Sequence, residues 1–206
     1  FMIKKIISNK SIGIVLLLFH FLGASAQKHS VSREWNEALL SAIRLDLARP
    51  TVHSRNLFHH SLGMYEAFAA ISDSADHIFL GRTFGYKTTA FDGFEPADSD
   101  SVALVKAINH FSYGLLSHRF GAGNNAFEIQ QILDSIFLLH DGDVTKTSVD
   151  YSNGSAEALG NYLAQEIIDF GWNDGANEAN SYTNQFYTPL NPPIKVELPG
   201  NPNILD

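Results

Sequence analysis

The side chains with the clearest chemical potential in this 206-residue chain are Arg55, His59 and Glu66, set at i, i+4 and i+11 in an otherwise apolar run. On a helix that spacing lines a guanidinium, an imidazole and a carboxylate along one stripe with Leu62. A buried unpaired charge costs several kcal/mol or more, so such a stripe either pairs internally and with neighbouring helices or lines a wet cavity. Ion-pair networks are common in helical cores, and pairing is the reading adopted here. No residue of the chain is assigned a catalytic, cofactor-binding or metal-binding role.

The other candidate constellations reduce to structure. His59 and His60 point about 100° apart on a helix, and the H-E-x-x-H spacing of zinc hydrolases is absent. Asp141-Gly142-Asp143 begins like a calcium loop, but Thr145 stands at its fifth position and neither Gly at the sixth nor Glu at the twelfth follows, so a turn is expected. Gly121-Ala122-Gly123 reads as a break between helices, not a phosphate cradle. The chain holds no cysteine, which removes disulfides, thiolate metal sites and cysteine nucleophiles.

The elements that must position the stripe are helical. Trp35, Leu39, Ala42 and Ile43 share one face of a first helix, which Pro50 stops. A second, largely buried helix carries Leu57, Phe58, Ser61, Leu62, Met64, Tyr65, Phe68 and Ala69 as its apolar face, with Thr51 as N-cap. The connection Ser72 to Ala97 is long, and Phe79, Phe84, Tyr86, Phe91 and Phe94 mark it as a loop pinned to the helices. A third helix is expected over about 101–120 and ends at Gly121. A fourth follows from Asn125, paired with Glu128 as a capping box, with Phe127, Ile129, Ile132, Leu133, Ile136 and Phe137 on its core face. A fifth covers about 155–170 and is closed by Gly171. Pro189, Pro192, Pro193, Pro199 and Pro202 then forbid regular structure. The fold class is therefore all-α: a bundle of about five helices with long loops and an extended proline-rich C-terminal segment.

Lys4, Lys5 and Lys10, the apolar run Ile12 to Leu22 and Ala24-Ser25-Ala26 compose a secretory signal peptide over 1–26, so the expectation is export, with no membrane attachment after cleavage. Without the three leader lysines, 11 of the 14 Lys and Arg remain against 22 Asp and Glu, a balance that argues against nucleic acid or an anionic membrane as partner.

The run WNEALL..AIR.D.ARPTVHSRNLFH.S..MYEAFAA resembles the N-terminal helical region of the vanadium-dependent haloperoxidases and their relatives in the type 2 phosphatidic acid phosphatase superfamily. The family pattern P-x-x-x-A/S-R-x-L-x-H-x-x-x-A-M-Y-D-A is matched by Pro50, Ser54, Arg55, Leu57, His59, Met64, Tyr65 and Ala67, with Gly63 and Glu66 where Ala and Asp are usual. A second match is GNYLAQEIIDFGWNDG, Gly160 to Gly175, which resembles a family helix that ends in a short A/N-D-G turn.

The family's oxyanion site is built from K-x6-R-P, P-S-G-H and S-R-x5-H-x3-D, because a tetrahedral oxyanion needs several cationic donors and a histidine. None of the three is present. Ala42 stands where the lysine before Arg49-Pro50 belongs, and Ser61 stands where the histidine after Ser54-Arg55 belongs. The resemblance thus implies 27–188 as a helical N-terminal domain and 189–206 as a linker into a missing C-terminal catalytic half, with homodimerisation possible. For the full-length protein it implies vanadate, with hydrogen peroxide oxidising halide to hypohalous acid, or phosphate-ester hydrolysis as in relatives. The fragment alone is expected to bind no vanadate and to be inactive. The alternative is a non-enzymatic exported helical binding or scaffold module.

Overall fold

The computed structural model describes residues 29–123, 125–186, 190, 196–198 and 201–202. The leader expected at 1–26 and most of the linker expected at 189–206 lie outside the described residues. Phe1–Ser30 separates by its contacts from Val31–Asp206, and the following concerns the latter.

Among the described residues, five α-helices build the fold: α1 (Val31–Leu45), α2 (Pro50–Ile71), α3 (Asp100–Phe120), α4 (Ala126–Leu139) and α5 (Ala156–Trp172). The all-α expectation holds. Between α2 and α3 lies a minimal antiparallel ladder, β1 (Thr83–Phe84) with β2 (Lys87–Thr88), turned by Gly85 at φ +60°. A 3₁₀ turn, Glu178–Asn180, follows α5. Within the stretch expected to be irregular, β3 (Val196–Leu198) pairs antiparallel with β4 (Asn201–Pro202). No helix among the described residues is long and apolar enough to cross a membrane.

The central helix is α3, which packs against each of the other four, most extensively against α5. Gly160 sets that closeness: a Cβ there would run into the carbonyl of Ala107 and come within 2.9 Å of the Phe111 nitrogen. Phe111, Leu115, Leu116, Leu159, Leu163 and Ile167 fill the core with Trp35 and Leu39 from α1 and Leu133 from α4. One polar residue organises this apolar centre. Asn109 accepts from Trp35 Nε1 at 2.9 Å and donates to the carbonyls of Phe137 and His140 at 3.0 and 3.2 Å, which joins α1, α3 and the end of α4.

Several local expectations are corrected. Thr51 does not cap α2: Arg49 occupies the cap position and Pro50 the first turn, where its missing N–H is no loss. Asn125 stands at the cap of α4, but its side chain donates to the carbonyl of Leu45 instead of capping, at 2.5 Å. Phe127 is not core; it is 79% exposed while Ile129, Leu133 and Phe137 are buried. Helix α5 continues through Gly171 to Trp172.

The largest correction concerns α2. Its predicted apolar face is the outer one: Leu57, Phe58, Ser61, Tyr65 and Phe68 are exposed, although Leu62 and Ala69 are buried. The inner face carries Asn56, His59, His60, Gly63, Glu66, Ala67 and Ala70. Small residues win there because Phe111 crosses at Gly63, so closely that no Cβ would fit.

The 72–97 connection is pinned, as its aromatics imply. Phe79 and Leu80 are buried, and Phe84, Phe91 and Phe94 pack on the core. Tyr86 stacks on Phe170 and donates to its carbonyl.

Candidate functional site: a buried arginine and carboxylate cluster

The polar stripe of α2 divides between two places. Glu66, fully buried, accepts from the backbone N–H groups of Ile78 and Phe79 at 2.8 Å and of Leu80 at 3.2 Å, and meets His77 Nδ1 at 2.7 Å. It anchors the loop after α2. Arg55 and His59 face the other way along the chain, to the exit of α5.

There the sequence Asn173-Asp174-Gly175 turns the backbone. Gly175 takes φ +88°, and Asp174 Oδ1 accepts from the Ala176 N–H at 2.9 Å, which leaves Oδ2 for Arg55 Nε. Three residues that are not glycine, Asn177, Ser181 and Tyr182, hold positive φ as the chain coils back. Each such residue costs of order 1–3 kcal/mol where its surroundings must enforce it, least for asparagine. The contacts of the coil provide that enforcement. Arg55 Nη2 donates to the Gly171 carbonyl at 2.8 Å and to Glu178 Oε2 at 2.7 Å, and Nη1 reaches the Tyr182 hydroxyl at 3.5 Å. The Tyr182 ring also lies 5.1 Å from the Arg49 guanidinium carbon and 5.7 Å from that of Arg55.

The last turn of α3 supplies the second cation. Arg119 Nη1 pairs with Glu178 Oε2, and Nη2 donates to His59 Nδ1 at 3.1 Å. That places the His59 proton on Nε2, 3.6 Å from Asp174 Oδ2. His118 Nε2 closes on Glu178 Oε1 at 2.9 Å. Burial, reinforced by Arg55 and Arg119 and opposed by Asp174, holds His59 down to about 3. Burial and then Arg55 lower Arg119 to about 10.

At neutral pH the cluster therefore contains two guanidinium cations, two carboxylates and a neutral His59. Its charge closes on itself. A vanadate or phosphate group placed here would have to displace Asp174 from Arg55 and Glu178 from both arginines, so the donor set does not fit an oxyanion cofactor. What it can do is tie α2, α3 and the segment after α5 together. His59 is a hydrogen-bonded spacer in that tie.

Open clefts also lie elsewhere among the described residues, two of them wide. One, of about 580 Å³, is lined by Tyr86, Lys87, Thr88, Asp169, Trp172 and Asn173, and its lysine is paired with Glu166 at 3.0 Å. The other, of about 400 Å³, runs between α3 and α5 past His110, Phe137 and Ile168. Among the described residues no group of three or more His, Asp or Glu is placed to hold a metal ion.

Arg55 and His59 stand out in the sequence, but their partners do not: Asp174 appears there only within the Gly160 to Gly175 match, and Arg119 and Glu178 belong to no motif. The chain matches no protein-family model, no curated protein and no solved structure with which it was compared.

Proposed function

We propose that these residues are the helical N-terminal part of an exported haloperoxidase-like protein of the type 2 phosphatidic acid phosphatase superfamily, and that its oxyanion chemistry is supplied by residues outside the 206. The observation that carries this reading is the Arg55 to Asp174 pair. The two stretches that resemble the family, Pro50 to Ala67 and Gly160 to Gly175, are 119 positions apart at that pair, yet they form one site. In this role the cluster is a structural lock. Vanadate, if the full protein binds it, would use the lysine, arginine and histidine side chains of the three motifs absent here. The leader-like 1–26 supports export.

A second reading, a non-enzymatic exported helical module, is favoured by the charge balance of the cluster, which leaves Arg55 and Arg119 no evident task beyond holding the fold.

Assays of the whole reading-frame product and of the 206-residue chain separate the two. On the first reading the whole product, with orthovanadate and hydrogen peroxide, oxidises bromide, or without vanadate hydrolyses a phosphate ester, and the 206-residue chain does neither. A whole product that lacks K-x6-R-P, P-S-G-H and S-R-x5-H-x3-D, and is inert in both assays, leaves the helical module.

A further inference from the structure

Gly114, one turn beyond His110 on α3, lies so close to α5 that a Cβ there would come within 3.1 Å of the Ala164 Cβ. Around this contact opens the cleft of about 400 Å³, walled by α3, the end of α4 and α5 and bordered by the loop 143–149. Much of its wall is carbon, from Tyr113, Phe137, Val149, Ala164 and Ile168. Tyr113 stacks on Phe137 with 4.1 Å between ring centroids, and its hydroxyl donates to Asp134 at 2.9 Å, so its ring is what it offers the cleft. A space of this size, apolar with a few fixed polar atoms, is of the kind that holds a small molecule.

The bordering loop is held in place by hydrogen bonds. Asn161 Nδ2 donates to the carbonyls of Lys146 and Ser148 at 2.8 and 3.0 Å, and Lys146 Nζ donates to Glu157 Oε1 at 2.6 Å. Val144 and Val149 are thereby kept at the edge of the cleft, 62% and 41% exposed.

The most buried polar side chain that lines the cleft is His110, 5% exposed. The two bonds from Asn161 Nδ2 settle which end of that amide is oxygen, so Asn161 Oδ1, 3.4 Å from His110 Nδ1, can only accept. The imidazole proton therefore sits on Nδ1. Burial pushes His110 below its ordinary value, against the opposing pull of Asn161 and Glu157, so the ring is neutral at neutral pH and Nε2 carries a lone pair. Among the described residues no donor is bonded to that nitrogen. A shielded acceptor of this kind costs free energy until something donates to it. An anion is disfavoured here, because Lys146 is paired with Glu157 and the Asp143 carboxylate lines the same cleft.

We infer that the cleft between α3 and α5 binds a small uncharged aromatic ring carrying one N–H or O–H donor, with the ring against Tyr113, Phe137 and Ile168 and the donor on His110 Nε2. The site stands independently of the family reading.

Indole and N-methylindole, which differ by the N–H, are titrated calorimetrically into the 206-residue chain. Indole is expected to bind about tenfold more tightly, the difference that one hydrogen bond makes. In His110→Phe the two should bind alike. Because that change touches the α3/α5 interface, two further readouts avoid it. On the unaltered chain, the nitrogen resonance of His110 Nε2 should move with indole and not with N-methylindole. Val149→Trp, at the exposed edge, should keep the circular dichroism of the fold and weaken both ligands by at least about fivefold. Absence of indole binding up to about 2 mM, equal affinity of the unaltered chain for the two indoles, or an Nε2 resonance that ignores indole overturns the inference. So does a preference for indole that persists in His110→Phe, or a folded Val149→Trp that binds indole as tightly as the unaltered chain.

Discussion

The residues that matter most here are buried polar groups whose worth comes from their pairing. Glu66 is the clearest. Its two carboxylate oxygens meet three backbone N–H groups and His77, all arising in one tight stretch of loop. Glu66→Gln would turn an NH₂ group toward those donors, and the expected cost is about 2–4 kcal/mol, read as a shift in the urea midpoint. His60 offers a test by pH. Burial alone lowers it to about 4, and Ser112 Oγ is its partner at 2.9 Å. A lowered histidine favours the neutral form in the native state, so the unfolded chain binds more protons between about pH 4 and 6.5. Stability is then full above about 6.5 and falls as pH drops through the window, by about 3 kcal/mol for this group. His60→Gln should flatten that part of the stability profile; an unchanged slope would mean that other groups set it. Glu157 acts at lower pH. Burial alone would raise it, but its hydrogen bond to Lys146, with Lys106 nearby, wins and holds it at about 2. Its contribution is present above about 4.5 and lost as pH falls toward 2.

At the scale of elements, five helices were legible from apolar spacing, because α1, α3, α4 and α5 bury most of the residues that the 3.6-residue period selects, Val102 of α3 and Phe127 of α4 being exposed exceptions. Where that reasoning failed on α2, the cause is physical. Periodicity shows that an apolar stripe exists; it does not show which side of the helix the rest of the protein occupies. Leu57, Phe58, Tyr65 and Phe68 form a stripe as regular as that of α5, yet α3 packs on the side with Gly63 and Ala67 because Phe111 needs the space. Cap residues misled for a related reason: Asn125 donates its Nδ2 to the Leu45 carbonyl, and its side-chain oxygen takes no N–H from the first turn of its own helix. The α3/α5 crossing gives a prediction that runs against helix propensity. Gly160→Ala should gain up to about 1 kcal/mol from propensity alone, but its methyl would strike the backbone at Ala107 and Phe111. A net loss of about 1–3 kcal/mol is expected, seen as a lower thermal midpoint. A neutral or stabilising outcome would show that α3 and α5 can move apart freely.

For the whole molecule, the candidate site was half legible. Arg55 and His59 stood out because charged residues in an apolar run demand an explanation. Their partners come from chain positions 60 to 123 residues away, and no local pattern announces such a meeting. The lock explains why the segment after α5 holds a costly left-handed backbone at Ser181 and Tyr182. The same feature makes the fold sensitive to one interaction. A double-mutant cycle on Arg55→Ala and Asp174→Ala, by urea unfolding at neutral pH, is the most direct test that the two family-like stretches are joined by a structural lock. Each single change should cost about 3–5 kcal/mol by stranding a buried charge, and the double variant should cost at least about 1 kcal/mol less than their sum. Losses that are small, or that add to within about 0.5 kcal/mol, would contradict the lock and remove the observation on which the proposed function rests.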